Sequence, residues 1–231
     1  DEGGFSSIVD DRYLDYLWNS LRIGLIAAAG CTAAAVVMAH AAKLTHGRRV
    51  DVAAQLATVG YAVPGVVVAI GVLIVFAWAD DGLEGLGVPG GTGLVVTGSV
   101  AGIVYAYLVR FMAPAYQSVD ASFAKMSPSL TGAALSLGTR PRQVLTRVHL
   151  PLARAGVAVA AVLVLVDALK ELPIVLLLRP FGFTTLSVQV YQEASETRWE
   201  SAAVPALTIV VVAMIPVLIL FRKILPAKAH S

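Results

Sequence analysis

Residues 117–151 read QSVDASFAKMSPSLTGAALSLGTRPRQVLTRVHLP. The stretch is too polar to cross a membrane, yet it separates two long apolar runs. Ser127-Pro128 and Thr139-Arg140-Pro141 each look like a helix start, with a hydroxyl as cap and a proline at or near the first turn. Gly138, between them, suits a left-handed helix end because it has no Cβ to clash there. The spacing predicts two short helices joined by a glycine turn, lying on a membrane face and presenting Arg140, Arg142 and Arg147. Basic side chains so placed can meet another protein, or they can simply hold the loop to anionic lipid.

Outward from this loop the chain is apolar. Of 231 residues, 58% are hydrophobic and 14% charged, against about 25% charged in ordinary soluble domains. So little charge cannot coat a soluble surface, which excludes a cytosolic enzyme, a disordered regulator and a disulfide-stapled secreted domain. A net charge of +2 gives no reason to expect nucleic acid as a partner. Five segments are long enough to span a bilayer as helices, about 17–43, 52–79, 92–116, 153–178 and 202–224. They lack the two-residue alternation of barrel strands, so the expected fold is an all-α integral membrane bundle of about five transmembrane helices. Gly60, Gly65, Gly71, Gly98 and Gly102 are small residues at spacings that favour close helix packing. Pro64, Pro173 and Pro216 are expected to kink or break their helices.

Charge sorts by side. Lys43, Arg48 and Arg49, then Lys125 to Arg154, then Arg222, Lys223 and Lys228 mark one face. Asp1 to Asp15, then Asp80, Asp81 and Glu84, then Glu193, Glu196 and Glu200 mark the other, with GVPGGTG at 87–93 as an outer turn. The positive-inside rule puts residues 1–16 outside as an extracytoplasmic leader and 225–231 inside as a cytoplasmic tail. The chain opens on Asp1 with no signal-peptide pattern and reads as a piece of something longer.

The stretch from Gly132 to Pro151 resembles the "EAA" motif of ATP-binding-cassette importer permeases. Ala133-Ala134 stands for the Ala-Ala pair, Gly138 for the glycine, and Leu150-Pro151 for the closing dipeptide; Gly132 replaces the motif's leading glutamate. Residues 166–207, with LWNSLRIGL at 17–25 and GYAVPGVVVAIGVL at 60–73, are similar to the C-terminal half of ferric-iron importer permeases. The resemblance implies a type I importer permease (MetI-like) in a bacterial inner membrane, taking ferric iron. Its partners would be ATPase subunits, a homologous N-terminal permease half, an extracytoplasmic substrate-binding protein and membrane lipid. It also implies that 127–151 docks on the ATPase through Ala133, Ala134, Gly138, Arg140, Arg142, Leu150 and Pro151. Related permeases carry thiamine, phosphonates or polyamines. A secondary transporter is the competing class, with Asp167 to Pro173 read as a broken mid-membrane helix, but it has no need of this loop.

Ionisable groups inside a span are costly and face the bundle interior by default. Asp167, Lys170 and Glu171 share one helical face. They are read either as a structural Asp167–Lys170 pair or as carboxylates lining the path of a hard cation. In the outer segment 179–200, Tyr191, Glu193 and Glu196 are candidates for docking a binding protein, or belong to a helix that only closes the bundle. His40, His46 and His149 show no metal-ligand spacing and read as ordinary interfacial residues; Cys31 reads as a small buried residue. No phosphate-binding GxxxxGK[ST] loop and no nucleophile–base pair is present. The chain is therefore expected to bind no cofactor of its own, with ATP and Mg used by the partner ATPase.

Overall fold

A computed structural model describes residues 11–45, 48–87 and 98–224, and all regular structure among them is helical. In chain order the helices are α1 (Asp11–Thr45), α2 (Arg48–Thr58) with a 3-10 turn over Val59–Ala62, α3 (Gly65–Gly85), α4 (Val100–Ala124) and α5 (Pro128–Ser136). There follow α6 (Pro141–Val144), a π turn over Leu145–His149, α7 (Leu150–Leu169), α8 (Pro173–Leu178), α9 (Leu186–Ser195) and α10 (Trp199–Ile224). Residues 1–10, the turn at 87–93 from position 88 on, the start of the 92–116 segment, His46 and the tail 225–231 lie outside the described residues.

Helices α1, α4 and α7 pack on one another as the core. Helix α1 buries Ile23, Ala27, Cys31, Ala35 and Ala39, one residue in every four. Helix α7 answers with Ala153, Gly156, Ala160, Val164 and Ala168. Both stripes are small, so the backbones approach closely, which is how helices gain contact where lipid supplies no hydrophobic drive. A Cβ on Gly156 would stand 2.6 Å from the Ser118 carbonyl oxygen of α4. Gly60 and Gly65 also make close approaches, whereas Gly71 and Gly98 face open space and do not act as packing residues.

Among the described residues, four helices are long and apolar enough to cross a membrane: Arg12–Thr45, Gly65–Gly85, Pro141–Leu169 and Trp199–Lys223. The expected fifth, 92–116, corresponds to α4, which carries Arg110 and Asp120 and buries Ile103, Tyr107, Phe111, Val119 and Phe123. Its two charged residues, Arg110 and Asp120, are each half-buried against protein.

Other boundaries differ from the sequence reading for identifiable reasons. The helix begins at Asp11, inside the stretch expected as a leader. The segment 52–79 is not one helix: Val63, at ψ 135, is extended before Pro64, as the proline ring demands of its predecessor. The segment 153–178 breaks after Leu169 and restarts at Pro173, and at its other end helix runs back to Pro141 through the π turn. The second short helix expected over the loop is therefore the start of the helix that continues into α7. The π turn has a local cause: Pro151 has no N–H for the ladder, and the Leu150 N–H reaches back five residues to the Leu145 carbonyl. Pro216 lies within an unbroken α10.

A Cβ on Gly60 would lie 2.2 Å from the Val109 carbonyl oxygen. Gly60→Ala is expected to cost about 1–3 kcal/mol, the scale of overpacking, read as a lower midpoint in detergent unfolding of the chain.

Candidate functional site

Three places carry the chemistry, and the first is the loop at 127–151. The Ser127 hydroxyl caps α5 by accepting from the Ser129 N–H. At the far end Gly138 has φ +78. The Gly138 N–H donates to the Leu135 carbonyl at 3.0 Å and the Thr139 N–H to the Ala134 carbonyl at 3.2 Å. This pair of bonds is a Schellman end, which needs a residue at positive φ. Thr139 does not cap the next helix as the sequence reading expected. The cap is Arg140, whose N–H donates to Gln143 Oε1 at 3.1 Å. Ala133, Gly138, Arg140, Arg142, Leu150 and Pro151 are exposed and Ala134 half-buried, with Leu137 86% exposed at the tip. The loop presents an apolar tip beside guanidinium groups.

The second place lies where the two broken helices meet. Arg110 Nε of α4 sits 3.3 Å from Glu171 Oε2, with side-chain exposures of 21% and 9%. Arg110 Nη1 also donates to the Val63 carbonyl, freed by the break before α3. The Tyr107 hydroxyl donates to the Ala168 carbonyl at 3.3 Å, and the Ser187 hydroxyl to the Glu171 carbonyl at 3.0 Å. Glu171 Oε1 presses on the first residue of α3, 2.6 Å from where a Cβ on Gly65 would stand. Asp167 and Lys170 form their own ion pair at 2.8 Å, the lysine 64% exposed. Both carboxylates expected along a path are thus partnered, Asp167 by Lys170 and Glu171 by Arg110. Arg110 escaped the sequence reading although its signal was the same as theirs, one charge within an apolar run.

The third place is the outer segment. Asn19 Nδ2 donates to the Thr184 carbonyl at 3.0 Å, and the Leu186 N–H to the Ser20 hydroxyl at 2.9 Å. These bonds tie α9 to α1. Arg198 bonds both Glu193, at 2.7 Å, and Glu196, and the two carboxylates hold its pKa above the ordinary value. Glu193 also accepts from Gln189 Nε2 at 2.8 Å. Tyr191 and Glu196 remain exposed, while Glu193 is drawn into this network. No group of three His, Cys, Asp or Glu able to hold a metal occurs among the described residues.

One sequence expectation is corrected here. His40 and His149 are not ordinary interfacial residues: both are buried, with their Nδ1 atoms 2.8 Å apart. They are 109 residues apart in the chain, so no local spacing could have paired them.

The family model for the binding-protein-dependent transport system inner membrane component matches residues 30–230. The chain belongs to that family. It is thus a permease-type inner membrane component of a binding-protein-dependent transport system. Over 118 residues it is 32% identical to the Fe(3+)-transport system permease protein FbpB 2 of Haemophilus influenzae, covering 51% of this chain and 23% of that protein. Over 153 residues it is 29% identical to the putative 2-aminoethylphosphonate transport system permease protein PhnV of Salmonella typhimurium, covering 66% and 52%. The permease thus spans about half or less of these relatives. A solved bacterial alginate transporter, in complex with an alginate-bound periplasmic protein, matches at a TM-score of 0.80 and 16% identity, over 100% of this chain and 85% of that one. That likeness bears on the fold alone.

The glycine turn of this permease makes a sharp local test. Gly138→Val is expected to loosen the α5 end by about 1–2 kcal/mol, the left-handed penalty for a residue with a Cβ. Gly138→Asn should cost less, and amide exchange at Gly138 and Thr139 reads the difference.

Proposed function

We propose that this chain is the membrane-spanning permease of an ATP-driven, binding-protein-dependent importer, with residues 127–151 as the seat of its ATPase. The observation that carries the reading is the family match over 30–230 together with the Schellman-capped, exposed turn at Gly138. The ATPase partner would supply ATP and Mg chemistry, and its movement would reach the bundle through Ala133, Ala134, Gly138, Arg140, Arg142, Leu150 and Pro151. A homologous N-terminal half would complete the path. The periplasmic binding protein would meet the outer face around Tyr191, Glu193 and Glu196. Residues 127–151 and the C-terminus lie in the cytoplasm in this reading, on the side richer in Lys and Arg.

Ferric iron is the solute we favour, on the similarity to the iron permease. The carboxylates Asp167 and Glu171 suit a hard cation once their partners move aside, and a path must bind weakly enough to release its ion. A phosphonate is the second reading, favoured by the longer stretch shared with PhnV and by the exposed Lys170 amine.

The test is the purified transporter in proteoliposomes with its binding protein inside-excluded. Uptake of ferric iron that needs ATP, falls severalfold in Asp167→Asn and is absent for 2-aminoethylphosphonate is the expected result. Deleting 132–151 should abolish co-purification of the ATPase. Retained co-purification would overturn the docking assignment, and phosphonate uptake without iron uptake would overturn the solute.

A further inference from the structure

Helix α5 has one buried residue, Thr131. Its hydroxyl lies 3.0 Å from His149 Nε2. The other ring nitrogen of His149, Nδ1, lies 2.8 Å from His40 Nδ1 on α1. The two rings meet edge to face with centroids 5.0 Å apart, and the Phe123 ring of α4 closes on His149 at 5.2 Å. His149 is 1% exposed and ends the π turn that joins the loop to α7. Beside it Lys43 of α1 donates to the Phe123 and Met126 carbonyls at 3.2 and 2.8 Å, holding the end of α4 where the chain turns into α5.

We propose that Thr131, His149 and His40 form a hydrogen-bonded strut that delivers displacement of α5 to α1, with His149 as its positioning residue. The proposal rests on the ATPase seat assigned above and names the route inward from it. Thr131 is the buried residue of α5, so its contact is the one through which motion of that helix enters the bundle. An imidazole suits the middle position because its two nitrogens can serve a hydroxyl on one side and a second ring on the other. Phe123 packs edge to face on the His149 ring, so a shift of Thr131 is carried along by His149 and not absorbed by its rotation. Helix α1 is the receiver, and its buried stripe packs the whole core.

Cys31, the one cysteine of the chain, reports on the receiver without any solute. It is fully buried on α1, with Sγ 3.9 Å from the Tyr107 and Leu108 carbonyls of α4. The experiment labels Cys31 with N-ethylmaleimide in the intact transporter, with and without a non-hydrolysable ATP analogue, and reads the adduct on this chain by mass. In the unsubstituted transporter the nucleotide should change the labelling rate about fivefold or more, the usual scale of coupling between sites. Thr131→Val keeps the shape and removes the hydroxyl; it should retain the ATPase but lose the nucleotide effect, and Thr131→Ser should restore it. A full nucleotide effect in Thr131→Val would overturn the strut. So would its absence in the unsubstituted transporter, or loss of the ATPase from Thr131→Val, which would make Thr131 part of the seat. Failure of the seat itself shows separately, as an unsubstituted chain that retains no ATPase.

Discussion

Lipid offers no hydrogen-bond partner to an exposed backbone group, so a helix that breaks at membrane depth must find its partners in protein. Among the described residues two expected spans break, one at Val63–Pro64 and the other between Leu169 and Pro173. The two breaks meet directly, Gly65 lying against Glu171 and Pro173, and the repairs come mostly from α4. Arg110 takes the Val63 carbonyl and Tyr107 the Ala168 carbonyl; Ser187 of α9 takes that of Glu171. Arg110 and Glu171 then neutralise one another, which lets two costly charges sit in an apolar bundle. The pair thus adds a charged joint to the apolar packing of α3 on α8.

The rest of the molecule divides into a stiff part and a responsive part. The stiff part is α1, α4 and α7, with small-residue stripes on α1 and α7 and larger side chains of α4 between them, packed closely enough that a displacement of one is felt by the others. The responsive part includes the loop at 127–151, whose Gly138 turn and π turn both depart from regular helix. One end of the chain's chemistry thus sits where another protein can push, and the other sits at the breaks in the bundle. In the importer proposed here, that separation is the central physical feature.

Much of this was legible in the sequence, and the remainder shows why some was not. The Ser127 cap and the left-handed Gly138 follow from residue type alone, because their causes are local. The breaks at Pro64 and Pro173 were expected from their prolines, although Pro216, expected to act alike, lies within an unbroken α10. The Thr139 cap was misplaced by one residue, since Gln143 could serve Arg140 instead. The limits of the second and fourth spans were missed because a hydropathy run does not register where backbone bonding stops. The pairs Arg110–Glu171 and His40–His149 join distant parts of the chain, which spacing cannot reveal. The family of the chain was legible from Ala133-Ala134, Gly138 and Leu150-Pro151; the partner of each membrane charge was not.

The Arg110–Glu171 pair is the joint on which both breaks depend, and a double-mutant cycle measures it directly. Unfolding of Arg110→Met, Glu171→Gln and the double variant would be followed in mild detergent with increasing denaturant. Arg110→Met alone should cost about 3–5 kcal/mol, because it strands a buried carboxylate. The double variant should be less destabilised than the sum of the singles by about 1–3 kcal/mol, the range for groups in direct contact. Strictly additive losses would mean that the two groups act independently, and would contradict a joint that holds α3, α4 and α8 together.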